Sequence, residues 1–120
     1  MEKSTLVLGA SVNAGRYSNK AIIKLKEHKI VTFGIGAKKG KVLDVVIETE
    51  KKEYKNINTV TLYLNPTRQE EYYDYVLKLK PNRVIFNPGT ENVAFMNLLK
   101  KNNIEVEVAC TLVLLNINKY

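Results

Sequence analysis

The run Thr5-Leu6-Val7-Leu8-Gly9-Ala10-Ser11-Val12-Asn13-Ala14-Gly15-Arg16-Tyr17-Ser18 constrains this chain more than any other part of it. A short apolar strand ends on a glycine, a turn of small residues follows, and an arginine leads into a stretch where Ala21, Ile22 and Leu25 share one helical face. A strand that turns at glycine straight into a helix aims free N–H groups and the positive end of a helix dipole at one spot, which is apparatus for holding phosphate. Gly9 and Gly15 are separated by five residues, so this is not the Gly-x-Gly-x-x-Gly of the dinucleotide fingerprint. The run implies a nucleotide ligand without implying NAD.

The remaining chain alternates strand and helix. Ser18 is placed to cap a helix reaching about Lys29, with Tyr17 and Ile22 where a hydrophobic staple would put them. Residues 30–35 read as the second strand, closed by Gly34 and Gly36, and Val45-Val46-Ile47 as a short edge strand. The polar residues 48–58 hold at most a turn or two of helix. Residues 59–64 form a strand ending at Asn65-Pro66, and Thr67 with Glu70 reads as a capping box for a helix that buries Tyr73, Val76 and Leu77 and stops at Pro81. Residues 83–86 are a strand ending in Asn87-Pro88-Gly89, and Thr90 would cap a helix burying Ala94, Phe95, Leu98 and Leu99. Residues 104–110 close the sheet. The alternation predicts one α/β domain over residues 1–120, Rossmann-like and doubly wound, with a mainly parallel sheet of roughly five to six strands and its ligand at their carboxyl ends.

Composition narrows the setting. A chain of 120 residues, 45% hydrophobic, suits a single core, and runs such as Leu112-Val113-Leu114-Leu115 fall far short of the roughly 20 apolar residues that span a bilayer. No charged-then-apolar leader follows Met1-Glu2-Lys3, and the single cysteine, Cys110, can form no internal disulfide, so a cytoplasmic protein is expected. The net charge of +7 raises the question of nucleic acid. Most lysines cluster at helix ends, however (Lys24, Lys26 and Lys29, Lys78 and Lys80, Lys100 and Lys101), where cations meet the negative dipole end. No recognition helix, zinc spacing or aromatic RNA-binding motif accompanies them, so a basic nucleic-acid or interaction module is the weaker alternative.

Lys38, Lys39 and Lys41 stand apart because they follow a strand. An NAD site places a carboxylate there, about 20 residues beyond the glycine loop, to bind the ribose hydroxyl. Here the turn reads Gly34-Ile35-Gly36-Ala37-Lys38-Lys39-Gly40-Lys41, which suits a phosphate on the ribose. NADP carries one on the 2′ position and coenzyme A on the 3′ position, and these residues alone leave both open, so a small NADP-binding oxidoreductase stands as the alternative.

Catalytic candidates are few. His28, the only histidine, lies among lysines at a helix end, and Cys110 closes a strand. Tyr72, Tyr73 and Tyr75 have the spacing of a core and contact cluster, and Glu70, Glu71 and Asp74 occupy the first turns of a helix, where the dipole favours them. No nucleophile–base pair and no metal-ligand cluster is expected.

The motifs Gly9-Ala10-Ser11-x-Asn13-x-x-Arg16-Tyr17-Ser18, the Gly/Lys turn with Gly36, Leu62-Tyr63-Leu64-Asn65-Pro66, Asn87-Pro88-Gly89-Thr90 and Ala109-Cys110-Thr111-Leu112-Val113 together resemble the small stand-alone CoA-binding proteins. These in turn are similar to the amino-terminal domain of the succinyl-CoA synthetase alpha subunit. The resemblance implies that coenzyme A or an acyl-CoA is the ligand. It implies that Gly9, Ser11, Asn13 and Arg16 cradle the diphosphate and that Lys38 or Lys39 approaches the adenosine 3′-phosphate. Leu64 and Pro66 would flank the adenine or pantetheine, with Asn65 beside them, and Asn87, Pro88, Gly89 and Thr90 would lie along the pantetheine arm. The synthetase's phosphorylated histidine belongs to a second domain that this chain lacks, so binding without catalysis is expected.

Overall fold

The computed structural model describes residues 3–120. The apolar run at the start of β1 (Thr5–Ala10) is fully buried, and β1 takes the central place in a seven-stranded sheet of order β3-β4-β2-β1-β5-β6-β7. The other strands are β2 (Thr32–Gly36), β3 (Gly40–Val42), β4 (Val45–Glu48), β5 (Thr59–Leu62), β6 (Arg83–Phe86) and β7 (Glu105–Val108). Every neighbouring pair is parallel except β3 with β4. Central parallel strands covered on both faces need continuous rather than alternating apolar sequence, which is why β1, β5 and β6 have no exposed residue apart from half-buried Gly9. The chain runs outward from β1 through β2 and β4, then returns to β5 beside β1. That reversal opens the crevice in which doubly wound sheets bind ligands.

Successive β1 side chains point to opposite faces. Leu6 and Leu8 join Val60, Leu62, Val84, Phe86, Phe95 and Leu99 in one core layer, while Val7 joins Ile22, Leu25, Ile47 and Leu115 in the other. A register break between Leu8 and Ala10 puts Ala10 on the Val7 face. Helices α1 (Tyr17–Glu27) and α5 (Thr111–Asn116) cover the second layer. On the first lie α2 (Pro66–Gln69), a single 3₁₀ turn at residues 70–72, α3 (Tyr73–Leu79) and α4 (Val93–Lys101), with Phe95 stacked on Tyr73 at 4.4 Å and edge-on to Phe86 at 5.8 Å.

The Rossmann-like class is as the sequence predicts, with more strands and different caps. Gly40-Lys41-Val42, read as turn, is β3, and it folds back on β4 through Leu43, which adopts φ +54°. Val45-Val46-Ile47 is therefore not an edge strand. Residues 48–58 carry no helix, and α5, which the sequence did not announce, follows β7. Arg16 rather than Ser18 stands at the N-cap of α1, Ser18 is buried inside the first turn, and Tyr17, 70% exposed, cannot staple onto buried Ile22. Asn65 rather than Thr67 caps the next helix, its Oδ1 accepting from the Arg68 N–H at 2.9 Å, because Pro66 fixes the first helical position. Asn92 rather than Thr90 caps α4 by accepting from the Phe95 N–H, which shortens that helix and leaves Ala94 exposed and Leu98 half-buried.

The amino edge of the sheet is sealed by polar side chains. Arg83, 8% exposed, donates from Nε to the Thr59 hydroxyl at 3.1 Å and from Nη1 to Glu107 at 2.9 Å, and lies 4.5 Å from the centre of the Tyr120 ring. The Tyr120 and Thr5 hydroxyls are hydrogen-bonded to each other at 2.6 Å.

Candidate functional site

A cleft of about 580 Å³ opens at the opposite, carboxyl edge, where the turns after β1, β2, β5 and β6 converge. Of the residues named from sequence, Gly9, Ala10, Ser11, Asn13, Arg16, Tyr17, Ser18, Lys38, Leu64, Asn65, Pro88, Gly89 and Thr90 line it. Gly36, Lys39, Pro66 and Asn87 do not. Val12, Gly15, Ala37, Tyr63 and Arg68 complete the wall without having been named as ligand contacts. Arg68 could have been anticipated, since it lies in the first turn of a helix at the end of a central strand.

The glycines at the cleft serve the packing of the turns. Gly9 has φ +93°, and a Cβ there would lie 2.9 Å from the carbonyl carbon and oxygen of Tyr63, so the β1 turn rests directly on the chain leaving β5. A Cβ at Gly36 would come 2.1 Å from the Ala10 carbonyl oxygen, which explains why this glycine supports the turn from behind. The loop then organises itself. Ser11 Oγ accepts from the Asn13 N–H at 3.0 Å and Asn13 Oδ1 from the Gly15 N–H at 2.8 Å, while buried Asn19 donates to the Ser11 carbonyl at 2.9 Å. Ser11 and Asn13 thus shape the backbone of the loop.

The electrostatics of the cleft are one-sided. Among the described residues, its lining includes Arg16, Lys38 and Arg68 and no carboxylate, and none of the three cations is in an ion pair. At the start of α1 no side chain caps the helix, no acid occupies the first turn, and the Tyr17 and Ser18 N–H groups have no partner among the described residues. The other long helix, α4, has its N-terminus closed by Asn92.

Behind the wall, Asn87 is 1% exposed and fully engaged: its Nδ2 donates to the Thr61 hydroxyl and the Leu62 carbonyl, and its Oδ1 accepts from the Thr111 N–H. The Thr61 and Thr111 hydroxyls bond to each other at 2.8 Å, so the neighbouring Tyr63 hydroxyl is buried without a partner. Burial pushes the Tyr63 phenol well above its ordinary range.

The reactive residue types lie elsewhere. His28 is exposed, its Nδ1 2.9 Å from the Lys24 carbonyl, and Cys110 is the partly exposed N-cap of α5. Tyr73 packs in the core, whereas Tyr72 and Tyr75 meet edge-on beside the 48–58 crossover, where Tyr75 donates to the Lys52 carbonyl. Among the described residues, no group of three or more His, Cys, Asp or Glu could hold a metal, and no helix is long and apolar enough to cross a membrane.

Residues 3–116 match the CoA binding domain. The chain belongs to that family. A comparison with curated proteins finds no match. Among solved structures, the chain is similar over 100% of its length to 99% of an uncharacterized protein, with 44% identity and a TM-score of 0.97. It also matches a hypothetical protein from Pyrococcus horikoshii OT3, at 23% identity and a TM-score of 0.84 over 93% of this chain and 80% of that one. A protein from Thermus thermophilus matches at 20% identity and a TM-score of 0.86 over 99% and 91%. The last two share the fold. Membership agrees with the resemblance read from the sequence motifs.

Proposed function

We propose that this member of the CoA binding domain family binds coenzyme A or an acyl-CoA in the carboxyl-edge cleft and that binding is its whole activity. The observation that carries the reading is the pairing of an uncapped helix start with three cations that, among the described residues, have no ion-pair partner and share their cleft with no carboxylate. In this reading the diphosphate meets residues 9–18, with Arg16 and the first N–H groups of α1 neutralising it. Lys38, with exposed Lys39 beside it, takes the 3′-phosphate on the β2 side. Leu64 flanks the ligand, with Pro66 outside the cleft fixing the turn beside it, and residues 87–90 follow the pantetheine arm, with Pro88, Gly89 and Thr90 in contact and Asn87 holding them from behind. Asn87 has spent its hydrogen bonds within the chain, which fits a supporting role. No side chain pair at the cleft can activate a nucleophile, so neither thioester hydrolysis nor acyl transfer is expected.

Titration calorimetry with CoA, dephospho-CoA and NADP tests the proposal. One phosphate–lysine contact contributes about 1 to 3 kcal/mol, so CoA should bind roughly five- to a hundredfold more tightly than dephospho-CoA, with a gap that narrows as salt rises. Tighter binding of NADP would make the protein a dinucleotide binder instead. Thiol release from an acyl-CoA that Cys110→Ser or His28→Ala abolishes would show that the protein has a catalytic function.

A further inference from the structure

Resting on that reading, we propose that Gln69 is a positioning residue that fixes the pantetheine half of the cleft and so determines how well the whole coenzyme is held relative to its nucleotide half. Gln69 does not line the cleft. It is 0% exposed, and its carboxamide uses both donors and its acceptor. Nε2 donates to the Leu64 carbonyl and to the Thr90 carbonyl, each at 2.8 Å, and Oε1 accepts from Asn92 Nδ2 at 3.0 Å.

The two carbonyls belong to cleft-lining residues on different loops. The ladder between β5 and β6 ends at Leu62 with Phe86, so beyond that pair the strands no longer hold the loops together. Gln69 supplies the missing link further out. Leu64 in turn rests on the phosphate turn, its Cδ2 lying 3.2 Å from where a Cβ on Gly9 would be. Only a side-chain amide provides two N–H donors and an acceptor in one plane; a glutamate at this position would face two carbonyls with no proton to donate. The phosphate turn and Lys38 follow β1 and β2 and make no hydrogen bond to this carboxamide. Loosening Gln69 should therefore be felt by a ligand that reaches the loops after β5 and β6, and hardly by one that ends at the phosphates.

The probes are CoA and adenosine 3′,5′-bisphosphate, measured by calorimetry on the same preparations. Gln69→Met keeps length and removes all three bonds. It should weaken CoA about tenfold or more while the bisphosphate changes by less than about twofold. Binding of the bisphosphate shows that the variant is folded. Gln69→Met leaves the Leu64 and Thr90 carbonyls without this donor, while Asn92 Nδ2 keeps the Tyr73 hydroxyl. A second, milder test is Asn92→Asp, which keeps the cap on the Phe95 N–H but cannot donate to Gln69 Oε1. The preference for CoA over the bisphosphate should shrink in the same direction there. An unchanged ratio in Asn92→Asp, or an equal loss of both ligands in a folded Gln69→Met, overturns the inference. Absence of CoA binding by the unaltered chain overturns the binding reading, and this inference with it.

Discussion

The two edges of the sheet treat arginine in opposite ways. At the amino edge Arg83 is buried, bonded to Thr59 and Glu107 and covered by the Tyr120 ring. At the carboxyl edge Arg16 and Arg68 are exposed, unpaired and turned to a cleft beside Lys38. A buried guanidinium must be paired or it destabilises the fold, whereas an exposed one costs little to leave free and stays available to an anion. Burial and pairing thus separate the cation that holds the domain together from those proposed to hold a ligand.

The sharpest way to break this contrast is to remove one cation from each edge. Arg83→Met leaves Glu107 without its partner, takes one of two partners from the Thr59 hydroxyl, which keeps its bond to Asn58, and loses contact with Tyr120. It should therefore lower the unfolding free energy by about 2 to 4 kcal/mol in denaturant titration. CoA affinity of the folded fraction should stay within about twofold. Arg16→Ala should do the reverse. It removes a charge-assisted contact of about 1.5 to 3 kcal/mol, roughly ten- to a hundredfold in affinity by calorimetry, and moves stability by less than about 0.5 kcal/mol. If Arg16→Ala destabilises the fold and leaves affinity intact, the edges have been assigned the wrong way round.

The double variant Lys38→Ala, Lys39→Ala sharpens the comparison within the carboxyl edge. Its charges should matter only to a ligand with a phosphate on the ribose, so CoA binding weakens by about 1 to 3 kcal/mol and dephospho-CoA is almost unaffected in the same assay. The smallest effect concerns the phenols at the two edges. Burial raises both Tyr63 and Tyr120 above the ordinary value of about 10. The folded state therefore keeps protons that the unfolded chain gives up, and stability present below about pH 10 is lost as pH rises beyond it. Tyr63→Phe should flatten part of that alkaline decline in chemical denaturation, and at neutral pH it should be neutral or slightly stabilising because the hydroxyl it removes has no partner.

How far the sequence carries the fold follows from what each segment had to signal. The buried strands β1, β5 and β6 are legible because both their faces are covered and their apolar runs are continuous. Strand β3 is three residues long, too short for any periodicity, and its turn uses Leu43 at positive φ where a glycine or asparagine would have marked it. The caps went to Asn65 and Asn92 instead of Thr67 and Thr90 because several residues near each helix start can cap, and which one does so depends on the path of the entering chain. In the candidate site, the turn over residues 9–18 and Lys38 follow local rules and are visible in one dimension. Gln69 and Asn87 act through carbonyls and hydroxyls brought close by the β5–β6 pairing, and a contact across two strands leaves no local pattern to read.

The most direct test of the central claim is a two-dimensional amide NMR titration of the unaltered protein with CoA. The cleft account predicts shifts concentrated at residues 9–18, Lys38, Leu64, Arg68, Gly89 and Thr90, saturating together, while Thr59, Arg83 and Glu107 at the amino edge stay still. Shifts centred on the amino edge, or saturable CoA binding that leaves residues 9–18 unmoved, would contradict it.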